Sequence, residues 1–333
     1  MNKPYIFLSF LCVAMILALT AAAQKTETFT INIPEQRVNG SRYGNIEFLD
    51  IRNDTSYFGS VQVGLVNTRA KVVPKPNIGN QFKNLLAAMI TTDASPGKLL
   101  FVLRRFAFKE ATSATSETGY FYVRAMLLAE NGGKYNMVGT LDTVVQFRAM
   151  DVTQRLLRTG GKILTGFIQD NLVESPSDES YTISEIRNID SLQKSSILLY
   201  TSEKYIDGIY VDYNEFKNQQ PSITGFSAEI SKKGKLSKVK LEDNTEIDAD
   251  EYYVVVYKGL PYLSTKYGYY PIEKRGNDFY YTGKMKSYRG IPAAAVMLGL
   301  VGALIASTGT EIVEHRLDHV SGMFVYSGPA QNR

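Results

Sequence analysis

Between Lys98 and Arg148 three long strand patterns follow one another across short turns, and no other feature limits the fold as tightly. "KLLFVLRRFAFKE" passes through the polar loop "ATSATSETG" into "GYFYVRAMLLAE", and "NGG" at Asn131–Gly133 turns the chain into "KYNMVGTLDTVVQFR". Consecutive strands joined by tight turns pair antiparallel, so this region forms the centre of a sheet. Further strands precede it: "ETFTINI", by the alternation of Phe29, Ile31 and Ile33, then "NIEFLDI" and "YFGSVQVGLV". In "NQFKNLLAAMIT" Phe82, Leu85, Leu86 and Met89 fall at helical spacing behind a cap at Asn80. Asp151 caps a second helix reaching about Val173, with Leu156, Leu157, Leu164, Phe167, Ile168 and Leu172 as its apolar stripe and a weak point at Gly160-Gly161.

Strands, helix, three strands and helix make an α+β domain over residues 24–173, with helices on one face of a largely antiparallel sheet. "ESPSDES", Glu174–Ser180, reads as a linker, being polar, Pro-containing and aperiodic. Short strand patterns such as "GFSAEIS", "KLSKVKL", "EYYVVVYKG" and "NDFYYTGKMK" then describe a β-rich domain over residues 181–333. The basic run "SKKGKLSKVK" followed by "LEDNTEIDADE" reads as a hairpin turning at Asp243-Asn244 with solvated arms.

The first 23 residues have the form of an export signal: Lys3, a long apolar run, and small residues at Ala21–Ala23. The expected location is the periplasm or the outer-membrane surface. The single cysteine, Cys12, lies within the apolar run, so the processed chain has neither disulfides nor thiolate metal sites, and its stability rests on core burial. Removing Lys3 takes the formal charge from +4 to +3, too little to imply nucleic acid.

A second apolar stretch, "GIPAAAVMLGLVGALIASTGTE", reads as a helix over residues 292–307. Its small residues Ala295, Gly299, Ala303 and Ser307 recur every four positions, a stripe on which another backbone can approach closely. At about 1.5 Å per residue it is marginal for a bilayer core of about 30 Å. The basic residues before it stand on the wrong side for a span. Packing within the chain, contact between chains and insertion in lipid all stay open.

The stretch Phe48–Gly64, "FLDIRNDTSYFGSVQVG", has a strand ending in Asp50-x-Arg52, a polar loop with Asp54, and Gly59. In this it resembles small envelope lipoproteins of Gram-negative bacteria, including the auxiliary lipoproteins that accompany ABC-type lipid transporters. The resemblance extends over about Phe48–Leu172 and departs from that pattern in lacking a lipid-anchor cysteine at the cleavage point. The second half, through "HRLDHVSGMFVY", is similar to uncharacterised exported proteins of gut-type anaerobes. What these resemblances imply is an envelope location, with no activity to carry over.

Candidate sites are few. Asp50, Arg52 and Asp54 form either a ligand contact or a structural ion pair at a strand end. His315 and His319, four apart in "EIVEHRLDHV", suit a divalent metal on one face, or else sit solvated on an edge strand. The metalloprotease pattern needs Glu after the first His, where Arg316 stands. No Gly-x-Ser-x-Gly elbow or phosphate loop is present. Ten of the 22 tyrosines fall between Tyr252 and Tyr288, and Tyr267, Tyr269 and Tyr270 could stack on a sugar. Tyrosine is also a favoured strand residue. The expectation is an exported, non-enzymatic envelope protein that binds or scaffolds, without cofactor, working with an envelope protein partner or a second copy of itself. A glycan-binding or glycan-processing protein is the alternative, and a membrane-peripheral position stays open.

Overall fold

The computed structural model describes residues 25–64, 67–112, 117–231, 236–284 and 312–330. The export signal and the apolar stretch 292–307, with Ala295, Gly299, Ala303 and Ser307, lie outside the described residues. Among the described residues no helix is long and apolar enough to cross a membrane. The chain mixes helix and strand and is mostly β.

The first sheet contains β1 (Thr26–Phe29), β2 (Tyr43–Asp50), β3 (Gly59–Val63) and β4 (Thr68–Pro74). It continues, after helix α1 (Ile78–Met89), with β5 (Gly97–Thr112), β6 (Glu117–Asn131) and β7 (Lys134–Ala149). Helix α2 (Thr153–Asn171) and the short edge strand β8 (Ser180–Tyr181) complete it. The β5–β6–β7 meander is antiparallel, as the turns require. β3–β4 and β7–β8 are antiparallel too, so the sheet is largely antiparallel, with a parallel portion where β2 and β3 both join β5 and β1 joins β4. The parallel pairing of β2 with β5 follows from the crossover through α1, which returns the chain to the same end of the sheet.

β2 and β3 share one edge of β5, β2 pairing with residues 97–103 and β3 with Phe108 and Lys109. The segment 51–58 carries the chain from one to the other. Gly59 receives it at φ +97°, where a Cβ would lie 2.1 Å from the Phe108 carbonyl oxygen, so only glycine fits.

Helices α1 and α2 cover one face. Phe82, Leu85, Leu86 and Met89 from α1, and Leu156, Leu157, Leu164 and Ile168 from α2, meet Phe101, Phe106, Phe108, Phe121, Val123 and Leu127 of β5 and β6. Asn77, rather than Asn80, caps α1 by accepting from the Gly79 N–H at 2.8 Å. Asp151 does accept from the Thr153 N–H at the start of α2, at 3.2 Å. Gly160 and Gly161 leave α2 unbroken over 19 residues. They serve close packing, since a Cβ on Gly160 would stand 2.7 Å from the Phe108 ring.

The opposite face is covered too, which amends the one-sided layering expected. Leu100, Val102, Met126 and Leu128 pack against Tyr181, Ile186 and Ile189. The last two belong to short helices α3 (Ile183–Arg187) and α4 (Ile189–Ser195). Segment 174–180, expected as a linker, runs along β7: Ser177 N–H donates to the Met137 carbonyl at 2.7 Å, and Met137 N–H to that of Glu179 at 3.2 Å.

The remaining elements are α5 (Leu198–Thr201), β9 (Gly208–Tyr210), α6 (Tyr213–Lys217), β10 (Phe226–Ile230) and β11 (Leu236–Leu241), followed by β12 (Val254–Tyr257), β13 (Leu260–Thr265), β14 (Gly268–Pro271), β15 (Glu273–Arg275), β16 (Asp278–Gly283), β17 (Val313–Leu317) and β18 (Phe324–Pro329). They form a β10–β11 hairpin and two four-stranded sheets, in the orders β14-β13-β12-β9 and β15-β16-β17-β18. The turn at Asp243-Asn244 forms as read, with Leu241 N–H donating to the Thr245 carbonyl at 2.9 Å. Its arms are only half solvated, because Val239 and Ile247 are buried among Val255, Tyr262 and Tyr269.

Candidate functional site

Three sequence-read sites resolve into structural roles. Arg52 donates from Nε and Nη2 to the two carboxylate oxygens of Asp50, at 2.9 and 2.7 Å, and from Nη1 to the Tyr57 carbonyl at 2.9 Å. Its guanidinium lies over Phe58, 4.6 Å from the ring centroid. The pair therefore ties down the loop that carries the chain from β2 to β3. Asp54 stands outside this pair and accepts from the Ser56 N–H at 2.9 Å, an exposed turn.

The three tyrosines share no face. Tyr269 is buried in an apolar cluster, Tyr270 packs against Tyr281 with the rings tilted and centroids 5.8 Å apart, and Tyr267 is exposed beside Lys266 and Lys284. Tyr253, Tyr262 and Tyr281 are core residues as well. Alternation along a strand sends Tyr269 and Tyr270 to opposite sides, so these positions build two cores rather than a platform.

The histidines are buried, not solvated. His315 is 0% exposed and lies flat on Tyr281 with centroids 4.5 Å apart. Burial lowers its pKa to about 4. His319 is 6% exposed, and its Nε2 sits 3.1 Å from Gln193 Oε1. Gln193 Oε1 already accepts from Arg104 at 2.7 Å, so the histidine nitrogen facing it is the one that carries the proton. Burial is the main cause that lowers the His319 pKa to about 4, outweighing Asp190 and Asp318. Among the described residues no group of three or more His, Cys, Asp or Glu could hold a metal ion.

His319 belongs to a polar layer between the second face of the sheet and the C-terminal half. Its centre is Arg124 of β6, which is 4% exposed. Arg124 donates from both terminal nitrogens to Asp318, each at 2.9 Å, and from Nε to Asp142 of β7 at 3.1 Å. Asp318 also accepts from the Val320 and Ser321 N–H groups at 3.2 and 2.9 Å, in the turn between β17 and β18. Burial pushes the Asp318 carboxyl up, but Arg124 and these donors outweigh it and hold it well below the usual carboxylate range. Lys194 of α4 reaches Asp278 of β16 at 2.7 Å, joining a helix that covers the sheet to the C-terminal strands.

At one side of this layer a cleft of about 180 Å³ opens, lined by Arg104, Arg105, Arg187, Asn188, Asp190 and Ser191, with the loop after β2 closing it. Arg104 is 6% exposed and donates from Nη2 to Asp190 Oδ1 at 2.6 Å and to Gln193 Oε1 at 2.7 Å. Among the described residues its Nε, sealed from solvent, has no partner, and its Nη1 meets the Met126 sulfur at 3.9 Å. Arg105 stands 3.6 Å from Asp190 Oδ2. Burial raises the Asp190 carboxyl, yet Arg104 and Arg105 prevail and leave its pKa below the ordinary value. Arg187 is exposed at the end of α3. This site was absent from the sequence reading. Its one local signal is "RR" at Arg104-Arg105 inside an otherwise apolar strand pattern.

No protein-family model matches the chain, and no curated protein sequence does. Among solved structures, the crystal structure of a Xanthomonas campestris protein described by the family model DUF330 is similar over 44% of this chain and 96% of that one, with 12% identity and a TM-score of 0.29.

Proposed function

We propose that the chain is an exported protein of the cell envelope that acts by binding or scaffolding, rather than by catalysis, at the periplasmic or outer-membrane surface. Export rests on the signal-like first 23 residues. The observation that carries binding is the cleft itself, where Arg104, Arg105 and Arg187 face the single carboxylate of Asp190. The carboxylates of the polar layer, Asp142, Asp318 and Asp278, are engaged in ion pairs and act as fasteners.

Two measurements test this. Cell fractionation with mass spectrometry of the amino terminus should find the chain in the envelope, beginning near Gln24; an unprocessed cytoplasmic chain would refute export. Affinity capture from envelope extract, run with wild type and with Arg105→Glu/Arg187→Glu, should retain a defined component only on the wild type. Equal capture by both proteins would remove the cleft from the function.

A further inference from the structure

We infer that the cleft formed by Arg104, Arg105 and Arg187 binds a phosphate monoester dianion. The inference rests on the binding role proposed above and gives its ligand class.

Size is the first argument. The cleft holds about 180 Å³, below the roughly 300–1,000 Å³ typical of sites that engulf a drug-sized ligand. It fits one compact charged group, with the remainder of the ligand outside. Charge is the second. Three guanidiniums against the single carboxylate of Asp190 leave two positive charges over. A phosphomonoester carries about −1.5 to −2 at neutral pH and balances that excess, whereas a carboxylate carries −1 and leaves it half compensated. Among the described residues Arg187 forms no ion pair, so its charge is not cancelled within the protein.

Donor geometry is the third argument. Guanidinium forks match phosphate oxygens two at a time, and such charge-assisted bonds are about twice as strong as neutral ones. Asp190 and Gln193 fix Arg104 through Nη2, so Arg104 contributes a fixed charge at the wall, while Arg105 and the exposed Arg187 supply the forks that meet the phosphate oxygens. Arg104 is thereby held in place before any ligand arrives, and little side-chain freedom remains to be lost on binding. Asn188 and Ser191 add neutral donors at the same wall.

A phosphate monoester can come from a lipid headgroup or from a soluble phosphorylated molecule, and the test separates these sources. The purified protein is titrated calorimetrically with inorganic phosphate and with acetate at neutral pH. It is then floated with phosphatidylcholine vesicles, plain or doped with phosphatidic acid. The expected result is one saturable phosphate site, with acetate at least tenfold weaker. Arg187→Gln and Arg105→Gln should each weaken phosphate about tenfold at unchanged melting temperature. Flotation only on doped vesicles, lost in Arg187→Gln, would support the inference with a lipid source; phosphate binding without flotation would support it with a soluble one. Phosphate and acetate binding equally, both weakened by Arg187→Gln, would overturn the phosphate assignment and leave the binding role standing. Absence of a saturable phosphate site, or a site indifferent to both substitutions, would overturn the inference outright. The envelope capture experiment, which uses no added anion, would still decide the broader role.

Discussion

The two faces of the first sheet are built from the same strands by opposite means. On the α1–α2 face, phenylalanines pack ring against ring: Phe58 with Phe106 at 4.4 Å, Phe108 with Phe121 at 4.8 Å and Phe82 with Phe101 at 4.3 Å. Nondirectional burial holds that face, and its strength scales with the apolar area removed from water. On the other face Arg104 and Arg124 stand where apolar residues would otherwise be, and directional pairs with Asp190 and Asp318 hold the C-terminal half in place. The apolar face tolerates small changes of shape and fails gradually. The polar face is sensitive to the loss of a partner, and the more so the more deeply the surviving charge is buried and the fewer acceptors it keeps.

The largest difference should appear when a single carboxylate is removed. Asp318→Ala leaves Arg124 buried without its two-point acceptor and should cost about 3–5 kcal/mol in chemical denaturation. Asp190→Ala should cost no more than about 1–2 kcal/mol, because that side chain is 43% exposed and Gln193 still accepts from Arg104. Equal losses would mean that burial does not set the value of these pairs.

Acid and base should act on the two faces in opposite senses. The fold keeps His319 and His315 neutral, with pKa values lowered to about 4 from 6.5. Their contribution is complete above about pH 6.5 and is lost as the pH falls through about 4, at most about 3 kcal/mol each. Glu110, on the α1–α2 side, is 4% exposed and accepts from the Gln62 N–H and the Thr153 hydroxyl. Burial nevertheless raises its pKa from 4.5 to about 7. The folded state therefore favours the protonated acid, and stability declines as the pH rises from about 4.5 through about 7. The stability difference from wild type should vary with pH between about 4 and 6.5 in His319→Gln and, with the opposite sign, between about 4.5 and 7 in Glu110→Gln; a difference independent of pH in either variant would refute the assignment.

Smaller effects separate close packing from open space along α2. Gly160→Val drives a side chain into the Phe108 ring and should cost about 1–3 kcal/mol. Gly166→Ala meets nothing within 4 Å and should gain about 0.5–1 kcal/mol from helix propensity. A melting temperature lowered by both would show that α2 is packed more tightly at Gly166 than its surroundings indicate.

The same contrast explains which parts could be read from the chain. The stripe Leu156, Leu157, Leu164, Ile168 and the meander from Lys98 to Arg148 follow from periodicity and turn chemistry, which are local. The parallel placement of β2 and β3 beside β5 depends on a crossover and was not readable from single strands. The polar layer was less accessible still. Arg124 and Asp318 are 194 residues apart, and nothing in the spacing of either announces the other. "GYFYVRAMLLAE" did carry a trace of it: β6 is buried along nearly its whole length, and a lone arginine in such a run has to find an acid. The histidines were misplaced for a related reason. Their burial comes from Tyr281 and Gln193, which reach them only through tertiary contacts.

That the polar face fastens the halves through Arg124 and Asp318 is tested most directly by a double-mutant cycle. Arg124→Met and Asp318→Leu are made singly and together, and the free energy of unfolding is measured for all four proteins. Each single change should cost about 3–5 kcal/mol, and the double change much less than their sum, because both charges leave the interior together. Losses that add to within about 0.5 kcal/mol would contradict a fastening role for the pair.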